Sequence, residues 1–285
     1  DFKDCNLNDL HPNSAFEVEV KNFLKEWFSS SETVDVATSG STGTPKKLKF
    51  EKEKMRNSAK MTCDFFDFKE GDSALLCLPV AYVSGKMMVV RALERKMVLK
   101  IADSSTKPLI HLMEKIDFCA MTPLQVENSL DKIHFIKNLI IGGAQVSENL
   151  KQKIANTLKD KNADCHIFET YGMSETLSHI ALKEIYPNEN EYFSILNDIE
   201  ISTDDRNCLK IEAPKLNSEI LQTNDIVDLI DKQHFQFLGR ADFVINSGGA
   251  KISPEKLELF LKSELLKFGI ENELIFASKN DEILG

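Results

Sequence analysis

Between residues 73 and 168 short apolar runs alternate with segments of helical spacing, and this alternation narrows the available folds more than any other feature. Strands are expected over 73–78, 97–101, 117–121, 137–141 and 164–168. Helices are expected over 85–94 and 108–114, after Pro123, and over 147–158. Runs that are apolar throughout, such as Leu75-Leu76-Cys77-Leu78, must be buried on both faces. A mainly parallel sheet covered by helices does that. Upstream, Phe16, Val20, Phe23, Leu24, Trp27 and Phe28 fall at helical spacing and predict an amphipathic helix leading into a strand over 33–37. A second helix, from near Phe50 to near Gly71-Asp72, carries Met55, Ala59, Met61, Cys63, Phe65 and Phe66.

After Tyr171 the pattern changes. Runs over 178–182, 199–202, 208–211, 226–230 and 235–238 read as strands joined by turns, hence a compact β-rich subdomain. Past Gly239-Arg240 a strand over 243–246, a Gly-Gly turn and a helix over 254–265 begin another unit. The expectation is an α/β protein with a large domain over 1–240, followed by the start of a small α+β domain over 241–285. The chain starts at Asp1 and stops at Gly285 soon after an apolar run, so a further carboxyl-terminal segment is expected.

Composition closes off several functions. With 42% hydrophobic and 28% charged residues, the chain reads as a soluble globular protein. No apolar run is as long as a membrane span, and the amino end carries no signal-peptide pattern, so no membrane insertion is expected. A net charge of −10 argues against a nucleic-acid surface, though a local basic pocket for a small anion remains open. Six scattered cysteines without a CxxC pair fit a reduced, cytoplasmic protein without structural zinc. Homo-oligomerisation is compatible with all of this.

In open α/β sheets ligands gather beyond the carboxyl ends of the strands, and residues with chemistry fall there. Thr38-Ser39-Gly40-Ser41-Thr42-Gly43-Thr44-Pro45-Lys46-Lys47 follows the first strand. Its glycines allow a tight turn, and its hydroxyls, lysines and N–H groups could enclose a polyphosphate. It lacks the Gly-Lys-Ser/Thr ending of the common NTPase loop, which argues against that class. Gly142-Gly143-Ala144 could approach a flat ring, Tyr171 could stack on it, and Glu175 is a hard oxygen ligand suited to Mg²⁺. Taken singly, these residues equally suit a turn, rim packing and a first-turn helix charge.

Together the motifs resemble the adenylate-forming superfamily of acyl-CoA synthetases, luciferases and peptide-synthetase adenylation domains. The resemblance rests on residues 38–46, Tyr171-Gly172-Met173-Ser174-Glu175, Thr223-Asn224-Asp225 and Gly239-Arg240-Ala241-Asp242, in that order. The last continues through Ile245-Asn246-Ser247-Gly248-Gly249-Ala250-Lys251-Ile252. It implies that Ser39, Ser41, Thr42 and Lys46 hold the ATP β- and γ-phosphates, with Thr38, Gly40 and Gly43 also in the ATP-binding loop. By the same resemblance Gly142, Gly143, Ala144 and Tyr171 form the adenine slot, Gly172 belongs to the ATP site, Ser174 touches the α-phosphate, and Glu175 ligates Mg²⁺. Asp225 accepts the ribose hydroxyls, with Arg240 on ribose or phosphate. Asp242 is the hinge of the small domain, and Gly248, Gly249 and Lys251 belong to the hinge and CoA region. Lys46, Ser174, Glu175 and Arg240 carry the catalytic roles, with ATP, Mg²⁺ and coenzyme A as the cofactors and co-substrate.

Two departures stand out. The Gly-Lys context of the family's small-domain catalytic lysine is missing after Lys251, and Tyr82 stands where many relatives have histidine. The short stretch before residue 38 and the sequence Leu78-Pro79-Val80-Ala81-Tyr82-Val83-Ser84-Gly85-Lys86 resemble o-succinylbenzoate–CoA ligases of menaquinone synthesis. That substrate carries an aromatic ring and a second carboxylate. Lys86 and Arg91 are candidates for the spare carboxylate, and Tyr82, Ser178 and His179 for the pocket wall. A solvated helix face for Lys86 and Arg91 and a strand histidine for His179 remain as alternatives. So do another aryl- or acyl-CoA ligase and a nucleotide-binding module without catalysis.

Overall fold

The structure, a computed structural model, describes residues 7–37, 47–161, 163–243, 245–247, 250–252, 254–270 and 276. These form two compact units: residues up to Ile199 with Ala213–Ser218, and Glu200–Glu212 with the chain from Glu219 onward.

The first unit opens with α1 (Ala15–Trp27), whose first free N–H groups are met by Ser14: its Oγ accepts from Glu17 N at 3.2 Å. Phe16, Val20, Phe23 and Trp27 form the buried stripe, each such side chain contributing about 1.5–3 kcal/mol. Strand β1 (Thr33–Ala37) pairs antiparallel with β2 (Lys47–Glu51), from Thr33 opposite Glu51 to Ala37 opposite Lys47. Then come α2 (Lys52–Phe65), β3 (Ser73–Leu76), α3 (Val83–Glu94), β4 (Val98–Ile101), β5 (Ile116–Met121), α4 (Pro123–Glu127) and β6 (Ile136–Ile141). Helix α5 (Glu148–Asp160) and strands β7 (His166–Gly172), β8 (His179–Tyr186) and β9 (Phe193–Ile195) complete the unit.

Its main sheet runs in the order β9-β8-β7-β6-β5-β3-β4. Strands β3 to β7 are parallel, and β8 and β9 are antiparallel additions. The expected α/β class with a mainly parallel, helix-covered sheet is what forms. Its core joins the strands to α5 through Leu139, Ile141, Leu150, Ile154 and Leu158, the helical positions being four residues apart.

Two local expectations are corrected. The segment after residue 46 does not go straight into a helix: β2 intervenes, and α2 begins at Lys52 and stops at Phe65 rather than near residue 71. Strand β1 consequently lies in a two-stranded sheet and touches the β3–α3 connection through the Ala37–Tyr82 bridge. The stretch 108–114 forms turns instead of a helix. Leu109 is fully buried while Ile110 and Met113 are largely exposed, so seven residues have no continuous apolar face to offset the cost of helix nucleation.

The second unit holds an antiparallel sheet in the order β10 (Glu200–Thr203), β11 (Cys208–Glu212), β12 (Leu221–Leu229) and β13 (His234–Arg240). A hairpin of β14 (Ile245–Ser247) and β15 (Ala250–Ile252) and helix α6 (Pro254–Leu266) follow. Among the described residues no helix is long and apolar enough to cross a membrane.

Candidate active site

The carboxyl ends of β6 and β7 are built around two glycines with no room for a side chain. A Cβ on Gly142 would lie 2.6 Å from Thr170 Oγ1, and one on Gly172 would lie 2.4 Å from the Ser178 carbonyl oxygen. The first lets the 142–145 turn hug β7, and the second brings the start of β8 against the end of β7. Tyr171, half-buried, packs on Phe193 with ring centroids 5.9 Å apart. The strand therefore runs through Tyr171, past the expected end at 168.

Between the strands Ser174–Thr176 make a tight turn that Thr176 ties together. Its buried hydroxyl accepts from Met173 N at 3.0 Å and lies 2.8 Å from Ser178 O. Leu177 follows at φ +64°, an unfavourable conformation for a branched side chain, held by a fully packed environment. This turn leaves Ser174 and Glu175 exposed and turns Ser178 and His179 back toward the helices.

There they meet Arg91 of α3. Arg91 is 2% exposed, and its Nη2 donates to Ser178 Oγ at 2.7 Å. Among the described residues its Nη1 meets only Met88 Sδ, at 3.8 Å, and its Nε has no partner. Ser178 Oγ lies 3.4 Å from His179 Nδ1, and His179 Nε2 lies 3.1 Å from Thr62 Oγ1 on α2. Thr62 in turn donates to Ser58 O at 3.3 Å. One assignment satisfies the chain: Arg91 donates to Ser178, Ser178 to Nδ1 of a neutral His179, and His179 Nε2–H to Thr62. Burial and the adjacent guanidinium hold the His179 pKa well below its usual value, which keeps the ring neutral. Burial likewise brings Arg91 down to about 10. Among the described residues no carboxylate faces this guanidinium.

Lys86, five residues earlier on α3, is placed elsewhere. Its Nζ lies 3.6 Å from Glu26 Oε2 and 4.2 Å from the centre of the Phe23 ring, both on α1. Burial lowers its pKa, and Glu26 acts against that. Tyr82, just before α3, is partly exposed beside the Ala37 bridge. Of the five expected substrate residues, Arg91, Ser178 and His179 come together, and Lys86 and Tyr82 do not join them.

In the second unit Arg240 donates to Asp242 through Nε and Nη2, at 2.9 and 2.8 Å, and its Nη1 lies 4.0 Å from Asp225 Oδ1. The bidentate contact with Arg240 holds the Asp242 carboxyl below its usual pKa. Asp225 N donates to Thr223 Oγ1 at 3.0 Å. Three expected residues thus form one cluster. Thr38, Ser39, Gly40, Ser41, Thr42, Gly43, Lys46, Gly248 and Gly249 lie outside the described residues, and Lys251 is described only as part of β15.

Sequence reasoning missed Thr62, whose signal was present as two hydroxyls, Ser58 and Thr62, four residues apart on the buried face of α2. It also missed Glu169 and Lys183, which lie in strand-like runs and read as ordinary strand charges.

Residues 36–199 match the family described as AMP-binding enzyme. The chain belongs to that family. A solved acyl-CoA synthetase (AMP-forming)/AMP-acid ligase II-like protein from Dyadobacter fermentans is 31% identical, with a TM-score of 0.76 over 98% of this chain and 80% of its own. The 2-succinylbenzoate–CoA ligase of Haemophilus influenzae is 26% identical over 244 residues, covering 78% of this chain and 51% of that one. The o-succinylbenzoate coenzyme A synthetase of Bacillus subtilis, solved with ATP and magnesium ion, shares the fold. Its TM-score is 0.71 at 19% identity over 88% of this chain and 58% of its own. The chain spans about half the length of the curated relatives it matches.

Proposed function

We propose that the protein is an ATP-dependent acid–thiol ligase that activates an aromatic dicarboxylate, o-succinylbenzoate, as an acyl-adenylate and passes it to coenzyme A. Family membership supports the adenylating chemistry. The observation that carries the substrate class is Arg91, a buried guanidinium hydrogen-bonded to Ser178 and facing no carboxylate among the described residues. An unpaired buried cation is costly, and a ligand carboxylate that accepts from it recovers part of that cost on binding. Neutral His179 fixes the Ser178 hydroxyl, so the serine oxygen stays oriented toward the guanidinium. Lys86, already paired with Glu26, is left out of this role.

In the first half-reaction the reacting carboxylate of the substrate, the one Arg91 does not hold, attacks the α-phosphorus of ATP, forming the mixed anhydride and expelling pyrophosphate. Lys46 and the hydroxyls and N–H groups of 38–43 would steady the leaving phosphates, and Ser174 the α-phosphate. Gly142, Gly143, Ala144, Tyr171 and Gly172 would take the base, and Asp225 and Arg240 the ribose. Glu175 suits Mg²⁺: its exposed carboxylate carries no hydrogen bond or ion pair among the described residues. When bound, Mg²⁺ would neutralise phosphate charge. In the second half-reaction the CoA sulfur attacks the acyl carbonyl and AMP leaves. Residues 241–285 would belong to a small domain that turns about Asp242 between the two steps, carrying Gly248, Gly249 and Lys251 toward CoA.

The test is incubation with ATP, Mg²⁺, CoA and a panel of aromatic and aliphatic acids, with acyl-CoA detected by mass. A dominant o-succinylbenzoyl-CoA signal is expected. A dominant product from another acid would replace the substrate, and ATP binding with no thioester or pyrophosphate from any acid would overturn the ligase reading.

A further inference from the structure

A row of side chains across three neighbouring strands joins the Gly142-Gly143 turn to the Tyr171 ring. Glu169 and Tyr171 are two residues apart on β7 and so project from the same face of the sheet. Glu169 stands opposite Lys183 of β8 in the antiparallel register, and Lys183 Nζ lies 2.8 Å from Glu169 Oε2. The same ammonium sits 4.6 Å from the centre of the Phe193 ring on β9, the ring that packs against Tyr171. At the other end Glu169 Oε1 accepts from Val146 N at 2.9 Å, which fixes the downstream side of the turn. The next residue fixes the upstream side: Thr170 Oγ1 donates to Ile141 O at 3.2 Å.

The two sides of the expected base slot are thus tied to one ion pair. Glu169 is 3% exposed and the Lys183 side chain 13% exposed, so solvent screens the pair weakly and each charge constrains the other. A purely apolar pair at these positions would fill the space, but would leave the Val146 N–H without its acceptor and the turn free to shift against the ring.

We propose that Glu169 and Lys183 are positioning residues that set the separation between the Gly-Gly turn and Tyr171, and so the fit of the nucleotide base. This rests on the nucleotide reading of the site and deepens it. Neither residue touches the reacting atoms; both act through Val146, Phe193 and Tyr171. Misplacing a base wall weakens nucleotide binding while leaving the acid pocket around Arg91 alone.

The experiment measures AMP affinity by calorimetry and the separate KM values for ATP and acid, in wild type and in Lys183→Met, Lys183→Arg and Phe193→Leu, with thermal melting as the check of folding. Lys183→Met and Phe193→Leu are expected to weaken AMP and raise KM for ATP at least tenfold, with KM for the acid within twofold and kcat within threefold. Lys183→Arg restores AMP binding to within threefold of wild type. A folded Lys183→Met that binds AMP as wild type does would overturn the inference, and so would equal rises in both KM values, which mark general structural damage. Phe193→Leu leaves the charges intact and decides the matter if Lys183→Met does not fold. Failure of the wild-type protein itself to bind AMP would remove the nucleotide reading, and this inference with it.

Discussion

Lys86 and Arg91 lie five residues apart on one helix, both buried, and their surroundings treat them in opposite ways. Lys86 reaches α1, where Glu26 and the Phe23 ring neutralise and cover it. Arg91 reaches Ser178 and a neutral histidine, with no carboxylate among the described residues. The first cation is complete within the protein and ties two helices together. The second has no counter-ion among the described residues, which costs stability unless another group supplies the charge. What separates the two cations is neither burial nor helix, but whether the described fold provides a counter-ion, and the proposed binding role of Arg91 rests on that difference.

The comparison can be broken most forcefully at Arg91. Arg91→Met should lower kcat/KM for o-succinylbenzoate by about 10²–10³-fold, or about 3–4 kcal/mol, because a charge-paired contact is lost on binding. Its melting temperature should equal or exceed that of wild type, since an unpaired buried charge has gone. Glu175→Ala is the acidic counterpart: removing an exposed carboxylate with no described partner should leave the melt unchanged and slow ATP–pyrophosphate exchange by about 10²-fold. An unaltered exchange rate would sink the metal role. Glu26→Gln sharpens the contrast from the other side. It keeps the acceptor for Asp35 N but strips Lys86 of its counter-charge, so urea unfolding should show a loss of about 1–2 kcal/mol with kcat/KM unchanged. A changed KM for the acid would return Lys86 to the binding site.

The smallest effect is one of pH. His179 has a folded pKa well below 6.5, so as pH falls through 6.5 the unfolded chain takes up a proton that the native ring does not. Stability should then fall on acidification by up to about 1.4 kcal/mol per pH unit from this group. His179→Gln should flatten that slope in urea titrations between pH 6.5 and 5. An unchanged slope would mean that the ring is protonated in the folded state and the donor chain runs the other way.

Much of the architecture was legible because parallel strands buried on both faces leave an unmistakable apolar signature, and α5 spaces Leu150, Ile154 and Leu158 four residues apart. Strand β2 was not legible: Lys47-Leu48-Lys49-Phe50-Glu51 alternates, but only pairing with β1 gives that alternation a meaning. The 108–114 stretch misled because composition suits a helix where burial does not support one. At the site, motif residues could be found one by one, and Arg91, Ser178 and His179 could be suspected. Their meeting depends on the Leu177 turn and on Thr62 from a distant helix, which no spacing in the sequence expresses. That Lys86 would be taken by Glu26, sixty residues upstream, was equally invisible.

The most direct test of the account is the ratio of kcat/KM for o-succinylbenzoate to that for a matched aromatic monocarboxylate, compared between wild type and Arg91→Met. The account predicts strong preference for the dicarboxylate in wild type and a ratio near one in the variant, with turnover of the monocarboxylate retained. A ratio that survives the substitution would show that Arg91 does not read the second carboxylate, and the contrast between the two cations would lose its functional meaning.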